Sequence, residues 1–185
     1  MKIGYCICGS FCTHKKALAA LSKLSEKYEI VPVLSERAAG TDTRFGTHTE
    51  LIKKVTEICR REPVTTFERA EPLGPFEPLD MLVICPCTGN TLSKIASGVS
   101  DSSVTLAAKA TLRADRPVLI GLCSNDALGA NLSNIGVLLN RKNFYFVPMH
   151  MDDKEKKPHS LVCDFDMLDT CIQAAGRGEQ ISPVF

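Results

Sequence analysis

The feature that most constrains this chain is an alternation of hydrophobic period. Short apolar runs, KIGYCICG (2–9), EIVPVLS (29–35), MLVIC (81–85), PVLIGLC (117–123) and FYFVP (144–148), are separated by longer stretches with helical spacing. The helical stretches are 14–28, 47–61, 90–99, 103–113, 131–142 and 165–176. In the first, Ala17, Leu18, Ala20, Leu21 and Leu24 recur on one helical face. Thr47 with Glu50 three residues later reads as a capping box, and Gly176 reads as a helix C-cap. Strands that alternate with helices build βαβ units and a parallel sheet covered on both faces. The near-continuous apolar strands agree, because strands buried on both faces do not alternate. The expectation is one α/β domain over residues 1–185, three-layered and doubly wound, with a mostly parallel sheet.

Two segments break the rhythm. AEPLGPFEPLD (70–80) holds three prolines and a glycine and reads as an irregular loop. HMDDKEKKPHS (150–160) reads as a charged, solvated loop, with a lid or partner contact as the alternative.

Composition excludes several classes. The formal net charge is +1 and no long basic run occurs, so nucleic-acid binding has no electrostatic support. No apolar run approaches the roughly 20 residues of a membrane span, and the first residues enter a strand rather than a secretory signal. Nine cysteines, an odd number and several within apolar runs, read as buried free thiols in a reducing cytoplasm. The C-x-C pairs Cys6/Cys8 and Cys85/Cys87 are a poor zinc spacing, and no metal site is expected.

In an open parallel sheet, ligands bind beyond the carboxyl ends of the strands. Four stretches fall there: GSFCTHKK, SERAAGTDTRFG, PCTGNT and CSNDALGAN. All are rich in small polar residues that offer backbone N–H groups and hydroxyls. Gly9 and Ser10 precede the first helix, where unpaired N–H groups suit a phosphate. Neither G-x-G-x-x-G nor a Walker lysine is present, which favours a mononucleotide over a dinucleotide or ATP. In PCTGNT, Pro86 is expected to end the strand, Gly89 to permit a tight turn, and Asn90 or Thr91 to cap the next helix. Cys85 is expected in the strand and Cys87 at the rim.

These residues resemble the flavoprotein family that includes the FMN-dependent cysteine decarboxylases. Its Pro-x-x-Ala-Asn-Thr loop and following Lys-x-Ala-x-Gly-x-x-Asp run are matched by Pro86, Asn90, Thr91, Lys94, Ala96, Gly98 and Asp101, with Gly89 in place of alanine. Asn125 in CSND matches the asparagine of a later Met-Asn pair. The resemblance implies a Rossmann-like or flavodoxin-like flavoprotein fold. TRFG (43–46), AEPLGP (70–75), RPVLIGLCSNDALGAN (116–131), KNFYFVP (142–148) and DDKEKKPHS (152–160) are similar to one branch of that family. That branch forms the second subunit of an oxidoreductase that converts a cyclic dicarboxylate intermediate to an aromatic one in spore-forming bacteria.

The resemblance implies FMN as cofactor, NADP(H) on a partner subunit, a small dicarboxylate substrate, a homo-oligomer and a cytoplasmic location. It places Gly9, Ser10 and Ser35 at the FMN phosphate. Pro86, Thr88 and Thr105 would lie along the ring, with Thr91 and Cys123 also at the cofactor. Asn90 and Asn125 would donate to a substrate carboxylate, and Arg44 or Lys109 would pair with one. The decarboxylases carry a catalytic histidine shortly before the strand that feeds the Pro-Asn-Thr loop. Here Glu71 or Pro72 falls near that place, and the nearest upstream histidine, His48, lies in the first turn of a helix. Decarboxylation of a cysteine substrate is therefore disfavoured. The alternatives are another FMN enzyme of the family, a prenyl-FMN transferase, or a non-catalytic partner that has lost flavin.

Overall fold

The computed structural model describes all 185 residues. Its strands are β1 (Lys2–Ile7), β2 (Glu29–Leu34), β3 (Met81–Cys87), β4 (Val118–Ser124), β5 (Phe144–Phe146), β6 (Met149–Asp153) and β7 (Lys157–Cys163). Its helices are α1 (His14–Ser25), α2 (Glu36–Gly40), α3 (His48–Cys59), α4 (Phe67–Ala70), α5 (Gly89–Ala96), α6 (Ser103–Arg113), α7 (Leu132–Leu139) and α8 (Leu168–Gly176). The seven strands form one sheet in the order β2-β1-β3-β4-β7-β6, with β5 also paired to β4. The pairs β1–β2, β1–β3, β3–β4 and β4–β5 are parallel. This is the expected α/β sheet with flanking helices. From β1 the chain winds first to β2 on one side and then to β3 on the other, so the switch in winding direction lies between β1 and β3.

Every residue of β3 and β4 is buried, which explains why their sequences do not alternate. α1 buries Ala17, Ala20, Leu21 and Leu24, the face expected from its spacing. At the start of α3, the Thr47 side chain accepts from the Glu50 N–H while the Glu50 carboxylate accepts from the Thr47 N–H. Two donors that the helix leaves unpaired are thereby satisfied. A core of 50 buried residues extends over both faces of the sheet.

The structure corrects three local expectations. Residues 150–160 are not a solvated loop. They lie in the antiparallel hairpin β6–β7, and β7 pairs antiparallel with the carboxyl end of β4 through Cys123↔Val162 and Ser124↔Leu161. The charge run that suggested a loop sits at the turn and outer face, while Ser160, Leu161, Val162 and Cys163 are buried. Pro86 does not end β3. A proline cannot donate to a ladder but can accept, and the strand continues through a bulge to Cys87 with the Pro86 carbonyl accepting from the Cys8 N–H at 3.1 Å. Gly176 is the last residue of α8 rather than its cap. The left-handed turn falls two residues later at Gly178, with φ of 80°. Residues 70–80 are the expected irregular segment, with a 3-10 turn at Glu71–Leu73, and an ion-pair network anchors it. Glu77 accepts from both Arg61 guanidinium nitrogens at 2.6 and 2.7 Å, and Lys2 Nζ lies 2.7 Å from it.

Candidate functional site

The four small polar stretches meet where the strands end. Gly9 and Ser10 follow β1, Ser35 follows β2, Thr88 to Thr91 follow β3, and Cys123 to Asp126 close β4. Together they line a cleft with two lobes that share Gly9, Phe11, Thr88 and Asn90. The larger lobe, about 630 Å³, is bounded by Ser10, Cys12, Phe45, Cys123, Asn125 and the hairpin residues Lys157 and Ser160. The smaller, about 560 Å³, is bounded by Ser35, Arg37, Thr91, Lys94 and Ser102. The cleft opens at the switch in winding direction, where two adjacent crossovers leave opposite faces and separate.

The loop after β3 is built by hydroxyls. Thr88, not Asn90 or Thr91, caps α5, its Oγ1 accepting from the Thr91 N–H at 3.2 Å. The Thr88 hydroxyl donates to Thr91 Oγ1 at 3.1 Å, and the Thr91 hydroxyl donates onward to Cys8 Sγ at 3.5 Å. The ends of β1 and β3 are thus tied together. With the cap supplied by Thr88, the Asn90 side chain has no partner within the chain and stands exposed at the junction of the two lobes. Asn125 is likewise exposed on the larger lobe.

Gly89 has a steric reason. A Cβ there would lie 2.5 Å from Asn131 Nδ2, 2.6 Å from Ser124 Oγ and 2.7 Å from Asp126 Oδ1. Those three side chains form one cluster. Ser124 donates to Asp126 Oδ1 at 2.5 Å, and Asn131 Nδ2 donates to both Asp126 oxygens at 2.9 Å. The alanine of the decarboxylase loop does not fit beside this cluster.

Of the residues expected at the cofactor, Gly9, Ser10, Ser35, Thr88, Asn90, Thr91 and Cys123 line the cleft, as does Asn125. Pro86 is buried beneath it in β3. Thr105 stands apart: it is 2% exposed, its hydroxyl is used in a capping box with Ser102, and it borders a separate depression together with Lys109. Arg44 lies over the Phe45 ring at 4.9 Å, and it is Phe45 rather than Arg44 that lines the larger lobe. Cys87 is fully buried, not at the rim. His48 lines neither lobe and borders an adjoining pocket with Phe11, His14 and Phe45. Its backbone N–H and Nδ1 face Asp42 Oδ1 at 3.0 and 2.7 Å. No histidine lines either lobe, and Glu71 and Pro72 sit in a 3-10 turn outside both.

Sequence reasoning missed Arg37, Lys157 and Ser160. Arg37 lies in the SERAAG stretch after β2, and Lys157 and Ser160 lie in the hairpin; in both cases the side chain's direction depends on the fold. Lys94 pairs with Asp101 at 2.8 Å, which accounts for the Lys-x-Ala-x-Gly-x-x-Asp spacing as a clamp across the end of α5. Lys157 is held charged by Asp152, at 2.5 Å. Behind the larger lobe lie three thiols: Cys85 Sγ and Cys123 Sγ are each 3.7 Å from Cys163 Sγ. The hydrogen bond to Cys163 and burial push the Cys123 thiol far above the ordinary range, so it lines the cleft as a neutral group. No cluster of three or more His, Cys, Asp or Glu side chains could hold a metal ion. No helix is long and apolar enough to cross a membrane.

Comparison with known proteins places these features. Residues 1–177 match the Flavoprotein family. The chain is 41% identical to the dipicolinate synthase B subunit of Bacillus subtilis (strain 168) over 184 residues, covering 99% of this chain and 92% of the relative. The crystal structure of the dipicolinate synthase B subunit from Bacillus halodurans C superposes with a TM-score of 0.90 at 42% identity, covering 99% of this chain and 94% of that one. The FMN-dependent cysteine decarboxylase SpaF shares the fold, with a TM-score of 0.70 at 22% identity over 95% and 97% of the two chains. The chain belongs to the Flavoprotein family, alongside the B subunits of dipicolinate synthase.

Proposed function

We propose that, as a member of this family, the chain is the B subunit of a dipicolinate synthase and binds FMN in the two-lobed cleft. In this reading it takes part in oxidising a dihydrodipicolinate-type intermediate to pyridine-2,6-dicarboxylate during spore formation. The partner is the A subunit of dipicolinate synthase, which carries NADP(H). The observation that carries the reading is the division of labour between the lobes at the switch point. One lobe offers Arg37, the Ser35 and Ser102 region and Gly9. The other offers two free amides, Asn90 and Asn125, beside Lys157.

The residues fit the cofactor. A phosphate needs cationic and N–H or O–H donors with close backbone approach. Gly9 gives that approach, since a Cβ there would meet Arg37 Cγ at 3.3 Å and the Phe11 ring at 3.7 Å. The larger lobe, with Phe11, Phe45, Thr88 and the neutral thiol of Cys123, suits a planar ring. When bound, FMN supplies a two-electron acceptor for the removal of hydride from a dihydropyridine ring.

The chain's own residues do the rest. Asn90 and Asn125 donate amide N–H groups to one carboxylate of the substrate. Lys157 Nζ exchanges its contact with Asp152 for the other. The hairpin strand β7 closes that side against water. A cysteine decarboxylase reading gains no support, because no imidazole faces the cleft. Free thiols throughout the chain agree with a cytoplasmic location, and exposed Phe45, Phe67 and Phe76 suit burial between copies in a homo-oligomer.

The test is an absorption spectrum of the purified chain from 300 to 600 nm, before and after adding FMN. Flavin bands of shifted shape that survive desalting support the reading. No band and no change on titration would remove flavin from this chain and leave it as a protein that completes a site on its nicotinamide-binding partner.

A further inference from the structure

A separate pocket, of about 370 Å³, lies between the C-terminal end of α5, one side of α6 and the segment after α7. It shares no residue with either lobe of the cleft. Ile95, Ala108, Leu112 and Phe144 give it an apolar floor. Its rim carries three cations, Lys109, Arg113 and Arg141, and no acidic residue lines it.

The three rim cations take no part in the ion pairs of the chain. The ion pairs of the chain engage Lys2, Lys23, Lys27, Arg61, Arg69, Lys94, Lys142, Lys157 and Arg177. None of Lys109, Arg113 and Arg141 has a carboxylate within 4 Å, and none makes a side-chain hydrogen bond. Lys109 and Arg113 are four residues apart on α6, where like charges face each other and destabilise the helix. Neighbouring Lys142 is neutralised by Asp115 at 2.8 Å, so the acid nearest in sequence is already taken. Three uncompensated cations around an apolar floor leave the site short of negative charge and of an apolar group.

We infer that this pocket is a second ligand site, which binds an aromatic dicarboxylate with its ring on the Ile95–Leu112–Phe144 floor and its carboxylates between Lys109, Arg113 and Arg141. The guanidinium forks of Arg113 and Arg141 match carboxylate geometry, and the apolar floor discriminates against an inorganic anion. The choice of dicarboxylate rests on the proposed function. The site does not, because its residues and floor are independent of the cleft. Binding of a reaction product here, remote from the cleft, gives a means of product control through α5, which carries Asn90 at one end and Ile95 at the other.

The experiment is calorimetric titration of the FMN-saturated chain with pyridine-2,6-dicarboxylate, with inorganic phosphate as the second probe. Two variants are compared: Arg113→Gln/Arg141→Gln at the pocket and Asn125→Ala in the cleft. Both pocket arginines are exposed, and an unchanged melting temperature verifies the fold. The inference expects a binding event that survives Asn125→Ala, weakens roughly tenfold or more in Arg113→Gln/Arg141→Gln, and is not reproduced by phosphate at equal concentration. If the cleft reading alone fails, this event remains. Binding that is insensitive to the arginine pair, or matched by phosphate, overturns the inference, as does the absence of any binding that survives Asn125→Ala.

Discussion

Gly89 and Asp126 compete for one space: a Cβ on Gly89 would lie 2.7 Å from Asp126 Oδ1, closer than van der Waals contact allows. The residue that opens α5 and the carboxylate after β4 are therefore coupled, although they are far apart in sequence. Gly89→Ala should destabilise the chain by about 1–3 kcal/mol through overpacking. Chemical denaturation of Gly89→Ala, Asp126→Ala and the double variant measures the coupling. Partial recovery in the double variant is expected. Strict additivity would show that the two positions do not share space.

Arg37 borders the smaller lobe and has no acidic partner among the ion pairs, which leaves it free for a phosphate. Arg37→Gln should weaken FMN binding about tenfold while leaving riboflavin, which lacks the phosphate, unchanged. Flavin fluorescence quenching on titration with each reads the difference. Equal losses for both would move the phosphate elsewhere.

Lys157 is the one cation bordering the larger lobe. Lys157→Gln should raise the Kd of a cleft-bound dicarboxylate several-fold, with FMN affinity unchanged, because the hairpin contributes nothing to the smaller lobe. Titration of the FMN-loaded variant separates the two effects.

Glu77 sets an acid limit to stability. Arg61 and Lys2 hold its carboxyl down to about 2 from an ordinary 4.5. A depressed carboxyl stabilises the fold fully above its unfolded value and ceases to do so as pH falls through its folded one. Stability should therefore drop between about pH 4.5 and 2, by about 1–3 kcal/mol from this group once its partial exposure is discounted. Melting temperatures of Glu77→Gln and the parent, taken from pH 6 to pH 2.5, should converge towards the acid end. A constant gap would contradict the assignment.

The nine thiols should react in order. Cys12 is exposed and borders the larger lobe, Cys59 is half-buried with its thiol raised to about 12 by burial, and the other seven are buried. Alkylation at pH 7.5, followed by peptide mass spectrometry, should label Cys12 first and Cys59 slowly. The rest should react only after unfolding. Bound ligand should slow the first step.

Much of the fold was legible because its signals are local. The two-sided burial of a parallel strand writes itself as an unbroken apolar run, as in Leu82–Cys85, and the face of α1 writes itself as the spacing of Ala17, Leu21 and Leu24. The β6–β7 hairpin was not legible. Its outer positions and turn carry Asp152, Lys154, Glu155 and Lys156, and its buried run, Ser160–Cys163, is too short to stand out beside them. The candidate site was legible as four polar stretches, since each ends a predicted strand. Thr105 was misplaced for a different reason: a hydroxyl near a helix start serves a cap or a ligand equally well, and here Ser102 takes it.

By itself, the sequence determined five of the seven strands, the six longer helices and the strand ends at which small polar residues collect, because periodicity, capping and turn chemistry act over a few residues. Only the tertiary structure decided which side chains share a space. It set Asp126 against Gly89, turned Arg37 and Lys157 toward opposite lobes of the cleft, withdrew Thr105 and Arg44 from it, and gathered Lys109, Arg113 and Arg141 without a counter-charge. Those relations depend on strand order and on how crossovers lay helices across the sheet, and contacts between residues distant in the chain leave no period in the sequence between them.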